Sequence, residues 1–407
     1  MSRIVLGVAG GIAAYKACEL LRRLRAADHD VTVVPTESAL HFVGAATWSA
    51  LSGHPVSTSV WDDVDEVRHV KIGQGADLVL VVPATADLLA RAASGRADDL
   101  LTNVLLTAHC PVMFAPAMHT EMWQHAATRA NVATLRSRGS VVVDPDSGRL
   151  TGADSGPGRL PEPEELFAVA TSILASPGTA GRMAGRDMTG LRVAVSAGGT
   201  REHLDPVRFL GNSSSGLMGW ALARAAVLRG AEVHLVAANV SLAPPAGAVV
   251  EPITSTADLD DAMTRAAKDA DLVVMAAAAA DFTPGESSAT KIKKDADAGL
   301  ELQLVQTTDV LRGLVAGRTD PAQVLVGFAA ETPTAEHSLL ELGRAKLARK
   351  GCDLLVLNSV GHGLVFGQPD NEITLLTPDS EVGPLAGSKD TLAHAIWDVA
   401  LELRSRR

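Results

Sequence analysis

The chain has 407 residues, 47 of them acidic against 36 basic, for a formal net charge of −11. With no long basic run, this balance excludes general binding to nucleic acid. Hydrophobic residues make up 47% but aromatic residues only 3%, so Ala, Val, Leu and Gly must build the interior of two or three domains. Cys18, Cys110 and Cys352 are scattered and form no CxxC pair, which argues against a disulfide framework or a zinc site and for a reducing compartment. The longest apolar run, Leu272 to Ala280, is too short to span a bilayer and ends at Asp281. The apolar N-terminus is interrupted by Lys16 and Glu19 and is followed by no signal cleavage site. The expectation is a soluble cytoplasmic protein.

Taken in order, residues 2–9 form the first expected strand. The turn and helix start GGIAAYK (10–16) follows, and the helix runs through Leu24. Val31 to Pro35 is the second strand. Thr36 to Phe42 is a turn into a helix, with Thr36 or Ser38 as its cap. Asp77 to Val82 and Pro111 to Ala115 are buried strands, ending in Pro83-Ala84-Thr85-Ala86 and Pro116-Ala117-Met118-His119. Val141 to Val143 is a further strand. Alternating strands and helices imply a parallel sheet with right-handed crossovers, whose ligands sit at the carboxyl ends of the strands. Residues 146–163 are rich in Gly and Pro and long for a compact domain, hence a lid or a disordered stretch. A helix over 163–174 closes the first domain. Linker composition at 176–181 then places the boundary between residues 175 and 190.

At Leu191 the chain starts again. LRVAV (191–195) is a buried strand, SAGGT (196–200) a sharp turn, and NSSSG (212–216) leads into an amphipathic helix near Met218. A strand, a Gly-rich turn and small polar residues at a helix start offer backbone N–H groups to an anion. Val233 to Val236, Asp271 to Met275, Val324 to Phe328 and Asp353 to Asn358 are further strands. Glu372 to Leu376 is an edge strand or hairpin.

Neither Gly10-Gly11 nor Gly198-Gly199 has the GxGxxG spacing, which disfavours an ordinary NAD site. His69 follows Asp62, Asp63, Asp65 and Glu66. Those carboxylates would orient its ring, or it is a surface histidine among solvated charges. His119 lies on a strand-end loop. Lys291, Lys293 and Lys294 form KIKK, and Lys346 and Lys350 share a helix face one turn apart. The five lysines are either solvated surface or a cationic clamp for a triphosphate, near strand ends that carry Asn212 and Asp281.

Over nearly its whole length the chain resembles the bifunctional phosphopantothenoylcysteine decarboxylase/phosphopantothenate–cysteine ligases of coenzyme A biosynthesis. The first half is similar to flavin-dependent cysteine decarboxylases through GGIAAYK (10–16), VRHV (67–70), PATAD (83–87), SGRADDLLT (94–102) and PAMHTEMW (116–123). The second half is similar to the ligase through SAGGTREHLDPVRFLGNSSSG (196–216), AAAAADFTP (276–284), KIKK (291–294), GFAAET (327–332) and KGCDLLVLN (350–358). The resemblance implies two doubly wound, Rossmann-like α/β domains with mostly parallel sheets, the first flavodoxin-like. Residues 1–180 would be the FMN-dependent decarboxylase, 181–190 a linker and 191–407 the CTP-dependent ligase.

The resemblance also implies the chemistry. The ligase would activate the carboxylate of 4′-phosphopantothenate with CTP as an acyl-cytidylate, and L-cysteine would then form the amide. The decarboxylase would use FMN to release CO₂ and yield 4′-phosphopantetheine. His69 is then the expected active-site base, with His119, Asn212 and Lys291 as further catalytic residues. Gly11, Thr36, Ser38, Ala84, Thr85 and Ser94 are the flavin candidates. Gly199, Ala276, Ala277, Asp281, Lys291, Thr308, Asp309, Val310, Leu311, Phe328, Lys346 and Lys350 should surround CTP. Asn212, His119 and Met122 should contact substrate. Mg²⁺ or Mn²⁺ is the expected metal, with Asp281 as its candidate ligand. The implied assembly joins decarboxylase trimers and ligase dimers in a dodecamer.

Three positions depart from the family pattern. His119 stands where the PAMN loop carries asparagine. Gly152, in LTGAD (150–154), stands where the flap carries a proton-donating cysteine. Leu217 stands where SSGKMG has lysine. The change at Gly152 motivates an alternative: an active ligase whose impaired N-terminal half is an FMN-binding regulatory or scaffold domain.

Overall fold

A computed structural model describes residues 1–59, 67–150, 154–293, 300–333, 336–359 and 370–407. The chain divides into two compact units, Met1–Asp187 and Met188–Arg407. Among the described residues, no helix is long and apolar enough to cross a membrane.

The first unit is built on five parallel strands: β1 (Arg3–Val8), β2 (Asp30–Pro35), β3 (Leu78–Ala84), β4 (Val112–Pro116) and β5 (Val141–Val142). Their order is β2-β1-β3-β4-β5, the flavodoxin-like doubly wound arrangement. Val and Leu fill β1 and β3 almost without interruption because helices cover both faces of a parallel sheet. Its helices are α1 (Ala14–Ala26), α2 (Ala45–Ser52), α3 (Arg68–Gly75), α4 (Ala86–Ser94), α5 (Leu100–Thr107), α6 (Thr120–Gln124), α7 (Ala126–Ser137), α8 (Pro163–Ala175) and α9 (Pro177–Gly185). In α1, Ala14, Ala17, Leu21 and Leu24 recur at helical spacing and are buried.

Two expectations change here. The Gly/Pro-rich stretch after β5 contains an antiparallel hairpin, β6 (Asp146–Arg149) with β7 (Ser155–Arg159). The first half of the expected linker over 181–190 belongs to α9, whose Met183 and Ala184 are buried, and the seam falls at Asp187. Asp144 fixes this end of the unit, accepting from Arg136 at 2.8 Å and from Arg186 at 2.9 Å.

The second unit carries β8 (Arg192–Gly198), the hairpin β9 (Arg201–His203) and β10 (Phe209–Gly211), β11 (Glu232–Ala238), β12 (Ala248–Ile253), β13 (Leu272–Met275), the pair β14 (Phe282–Pro284) and β15 (Leu304–Gln306), β16 (Val324–Glu331), β17 (Leu354–Ser359), β18 (Asp370–Leu376) and β19 (Glu381–Ser388). Eight strands form one sheet, β12-β11-β8-β13-β16-β17-β18-β19. The first six are parallel in the dinucleotide-fold order, and β18 and β19 add an antiparallel edge. The helices are α10 (Leu217–Leu228), α11 (Thr256–Ala267), α12 (Val310–Gly317), α13 (Leu339–Lys350) and α14 (Lys389–Ser405). Successive strand residues feed opposite cores. Val195 and Val274 pack with Trp220, Leu222 and Trp397, whereas Ala194 and Val273 pack with Leu259, Leu325 and Leu347. The helix expected to be amphipathic, α10, is buried around most of its circumference because α14 packs on it. Trp397 is fully buried and donates its Nε1–H to the Leu222 carbonyl at 2.9 Å.

Candidate active sites

In the first unit the strand order reverses between neighbouring β1 and β3, and the carboxyl ends of strands at such a reversal are where ligands sit. Gly10 fits there because it has no side chain: a Cβ would lie 2.4 Å from the Ser38 Cβ. A Cβ on Gly11 would lie 3.8 Å from the Thr85 methyl group, ordinary van der Waals contact, so the backbone is open to a ligand on that side. Thr36 caps a short 3-10 turn, Glu37–His41, by accepting from the Ala39 N–H at 3.2 Å. Thr85 caps α4 in the same way through Leu88. Gly11, Thr36, Ser38, Ala84 and Thr85 therefore converge. Ser94 does not join them. It ends α4, about 13 Å from Thr85 at the helical rise, and its hydroxyl donates to the Arg91 carbonyl.

His69 lies in the first turn of α3 and is half-buried. Thr107 Oγ1 donates to its carbonyl at 3.0 Å. Gly73 lets α3 press onto α5, since a Cβ would meet Thr107 Oγ1 at 2.2 Å. Asp62, Asp63, Asp65 and Glu66, whose carboxylates either orient the ring or are solvated surface charges, lie outside the described residues, as does Gly152.

His119 precedes α6 and is exposed, with Nδ1 3.9 Å from Asp154 Oδ2. The β6–β7 hairpin brings the pair together by docking on the loop after β4. The Met118 N–H donates to the Gly158 carbonyl at 3.0 Å. Contact is close enough that a Cβ on Gly156 or Gly158 would meet Thr120 Oγ1 at 2.5 Å or the Met118 carbonyl at 2.1 Å. Buried Lys16 ties down the far end, donating to the Leu160 carbonyl and to Glu162, both at 3.0 Å. Burial alone would raise the Glu162 pKa, but Lys16 and Arg159 hold it below the usual carboxylate range. Met122, a substrate candidate, is 48% exposed.

In the second unit a cleft of about 860 Å³ opens where strand order reverses between β8 and β13. Residues 213–216 form its Gly/Ser-rich wall, and the α10 N-terminus lies at their end. Asn212 donates its Nδ2–H to the Ala279 carbonyl at 2.8 Å, which fixes its amide and turns Oδ1 away from that carbonyl. Ala276, Ala277, Asp281, Thr308, Asp309, Val310, Leu311, Phe328, Lys346 and Lys350 line the same cleft, as expected for them.

Two expected residues do not line it. Gly199 lies beneath the wall, where a Cβ would strike the Asn212 carbonyl at 2.6 Å, so its role is to let the loop close. Lys291 is exposed on a segment beside the β9–β10 turn, and Lys294 lies outside the described residues.

The lysine clamp also needs correction. Lys346 pairs with Glu331 at 2.8 Å and Lys350 with Asp309 at 2.7 Å, so neither is an uncompensated charge. Burial would raise the Asp309 pKa, but Lys350 and the Arg312 N–H outweigh it and hold the carboxyl low. Sequence reasoning missed Asn358, Asn371 and buried Lys389, which also line the cleft. Asn358 ends a strand at the ligand edge of the sheet, a signal that could have found it. Lys389 and Asn371 carry no such local signal. Among the described residues, no three His, Cys, Asp or Glu side chains converge to hold a metal.

These folds and clefts define a two-domain α/β protein in which a flavodoxin-type unit precedes a nucleotide-binding-type unit. Residues 1–174 match the family model described as Flavoprotein. Residues 188–403 match that of the DNA/pantothenate metabolism flavoprotein C-terminal domain. The coenzyme A biosynthesis bifunctional protein CoaBC of Mycolicibacterium smegmatis is 56% identical over 411 residues, covering 99% of this chain and 98% of the relative. Its Bacillus subtilis counterpart is 42% identical over 403 residues, covering 98% and 96%. The crystal structure of a CoaBC C-terminal domain shares 30% identity with a TM-score of 0.44, covering 54% of this chain and 99% of that one. The chain belongs to the CoaBC family of bifunctional enzymes of coenzyme A biosynthesis.

Proposed function

We propose that the second unit ligates L-cysteine to 4′-phosphopantothenate with CTP and that the first unit decarboxylates the product to 4′-phosphopantetheine. The observation that carries the ligase reading is the cleft at the β8/β13 reversal, lined by Asn212, Asp281, Thr308–Leu311 and Phe328, with the Asn212 amide fixed on the Ala279 carbonyl. A carboxylate is a poor electrophile, so it must first acquire a nucleotidyl leaving group. The α10 N-terminus and the 213–216 wall offer N–H and hydroxyl groups to the phosphates. The Thr308–Leu311 segment holds the nucleoside end. Asn212 Oδ1 and its fixed amide orient the acyl group for attack by the cysteine amine. Lys291 approaches from its own segment as the cation for departing pyrophosphate. A divalent ion, Mg²⁺ or Mn²⁺, would supply charge neutralisation at the phosphates. Such an ion arrives largely hydrated and on the nucleotide, so a single carboxylate such as Asp281 suffices on the protein side.

In the first unit Gly11, Thr36, Ser38, Ala84 and Thr85 would hold FMN, and the open backbone at Gly11 fits its close approach. When bound, the flavin would accept two electrons from the cysteinyl group, which lets CO₂ leave without an unstabilised carbanion, and would return them to the decarboxylated product, so the overall reaction is redox-neutral. His69 takes the thiol proton of the cysteinyl group. His119 binds the substrate carboxylate, and Asp154 orients its ring. The described cysteines Cys18, Cys110 and Cys352 lie outside the hairpin, and Asp154, which lies beside His119, is the proposed proton donor in place of a flap cysteine. The full-length match to bifunctional relatives supports two activities over the regulatory alternative. Decarboxylase trimers, ligase dimers and a cytoplasmic dodecamer belong to the same proposal.

The test uses the intact chain. It should be yellow with oxidised-flavin absorbance and should release pyrophosphate from CTP only when 4′-phosphopantothenate is present. A colourless protein without that release contradicts the proposal.

A further inference from the structure

Asp205 sits in the turn joining β9 to β10, on neither strand and outside the cleft lining. It is 1% exposed, unusual for a carboxylate in a surface hairpin. Its two oxygens face different parts of the chain. Oδ1 accepts from the Val207 and Arg208 N–H groups at 2.7 and 2.8 Å, closing its own turn. Oδ2 accepts from the Arg208 guanidinium at 3.0 Å and from the Ile292 N–H at 3.1 Å, 87 residues further on. Arg208 completes the link by donating to the Ile292 carbonyl at 3.1 Å. The Ser288 N–H adds a bond to the Leu204 carbonyl at 2.9 Å. Burial would push the Asp205 pKa up, but these N–H groups and the Arg208 charge outweigh it and hold the carboxyl low.

The segment carrying Lys291 and Lys293 is thus stapled at its backbone to the hairpin that leads into Asn212. Lys291 and Lys293 are exposed, and their position relative to the cleft follows from where the backbone between them is held. We propose that Asp205 is a positioning residue for the ligation step: its Oδ2 staple to Ile292 and Arg208 sets the anchor from which Lys291 reaches the departing pyrophosphate. This rests on the ligase reading of the second unit.

Asp205→Asn separates the two functions. Asparagine keeps one acceptor for the Val207 and Arg208 N–H groups, but its NH₂ would face the Arg208 and Ile292 donors, so the turn survives and the staple is lost. Ile292→Pro removes the same bond from the other side. In the intact chain each variant should lower kcat for phosphopantothenate-dependent pyrophosphate release about tenfold or more, with the KM for CTP changed far less. Asp205→Asn added to Lys291→Ala should cost nothing further, because the first acts through the second. Independently of activity, tryptic cleavage after Lys293 should be about tenfold faster in both variants. Unchanged kcat in either variant, unchanged cleavage in either variant, or penalties that multiply in the double variant would overturn the proposal. Absence of pyrophosphate release from the unsubstituted chain would instead sink the ligase reading. The cleavage rates then still decide whether the staple exists.

Discussion

Gly158 gives the sharpest single perturbation. Its φ of +151° is a conformation that L side chains rarely adopt, and a Cβ there would lie 2.1 Å from the Met118 carbonyl oxygen. Alanine must therefore lift β7 off the His119 loop. The backbone strain costs about 1–3 kcal/mol. The broken bond from the Met118 N–H to the Gly158 carbonyl costs about 1 kcal/mol more. Together these amount to about 2–4 kcal/mol, or roughly 30- to 700-fold in the balance between docked and undocked hairpin. Undocking parts Asp154 from His119. The assay is decarboxylation of phosphopantothenoylcysteine by the intact chain, with ligation as the internal control and tryptic cleavage at Arg149 as the structural readout. Gly158→Ala should lose most decarboxylation, keep ligation and be cut faster. Gly148→Ala, in the same hairpin, should behave as the unsubstituted protein, because its Cβ would meet nothing closer than Arg159 at 3.7 Å. Decarboxylation by Gly158→Ala at the unsubstituted rate would refute the docking argument.

Asn212→Asp places a carboxylate oxygen against the Ala279 carbonyl at 2.8 Å, two acceptors face to face. Acyl-cytidylate turnover should fall about 10²- to 10³-fold in a pyrophosphate assay while decarboxylation is untouched. Burial would raise the Asp144 pKa, but Arg136 and Arg186 outweigh it and hold it low. Its contribution is therefore complete above the unfolded value of about 3.9 and lost as pH falls through the folded one. In acid titrations followed by circular dichroism, Asp144→Asn should lower first-unit stability at neutral pH and flatten the acid limb. Trp397→Ala should cost the second unit about 3–5 kcal/mol and leave flavin retention by the first unchanged. A common shift of both, read by calorimetry and flavin absorbance, would contradict that.

The sheets were legible because Val/Leu runs such as residues 78–82 and 354–357 must be buried on both faces. Strands without that constraint escaped notice. β12 is an outermost strand containing Pro252 and exposed Val249, and β9, β10, β14 and β15 span three residues each, too few for a period. The Pro-Gly-Thr-Ala-Gly composition at 177–181 suggested a linker, yet burial of Met183 and Ala184 stabilises a helix there. The cleft was legible at the strand ends, where topology gathers ligands. Its charges were less so. Helical spacing put Lys346 and Lys350 on one face, but Glu331 and Asp309, which neutralise them, are chosen by tertiary contact. Lys389 entered the cleft for the same reason, from a helix start far along the chain.

The most direct test of two consecutive activities in one chain is the stoichiometry of its products. Purified protein given CTP, 4′-phosphopantothenate and L-cysteine labelled at its carboxyl carbon should release labelled CO₂ and pyrophosphate in equal amounts at completion. Pyrophosphate without labelled CO₂ would contradict the account, leaving a ligase joined to an inactive flavoprotein unit.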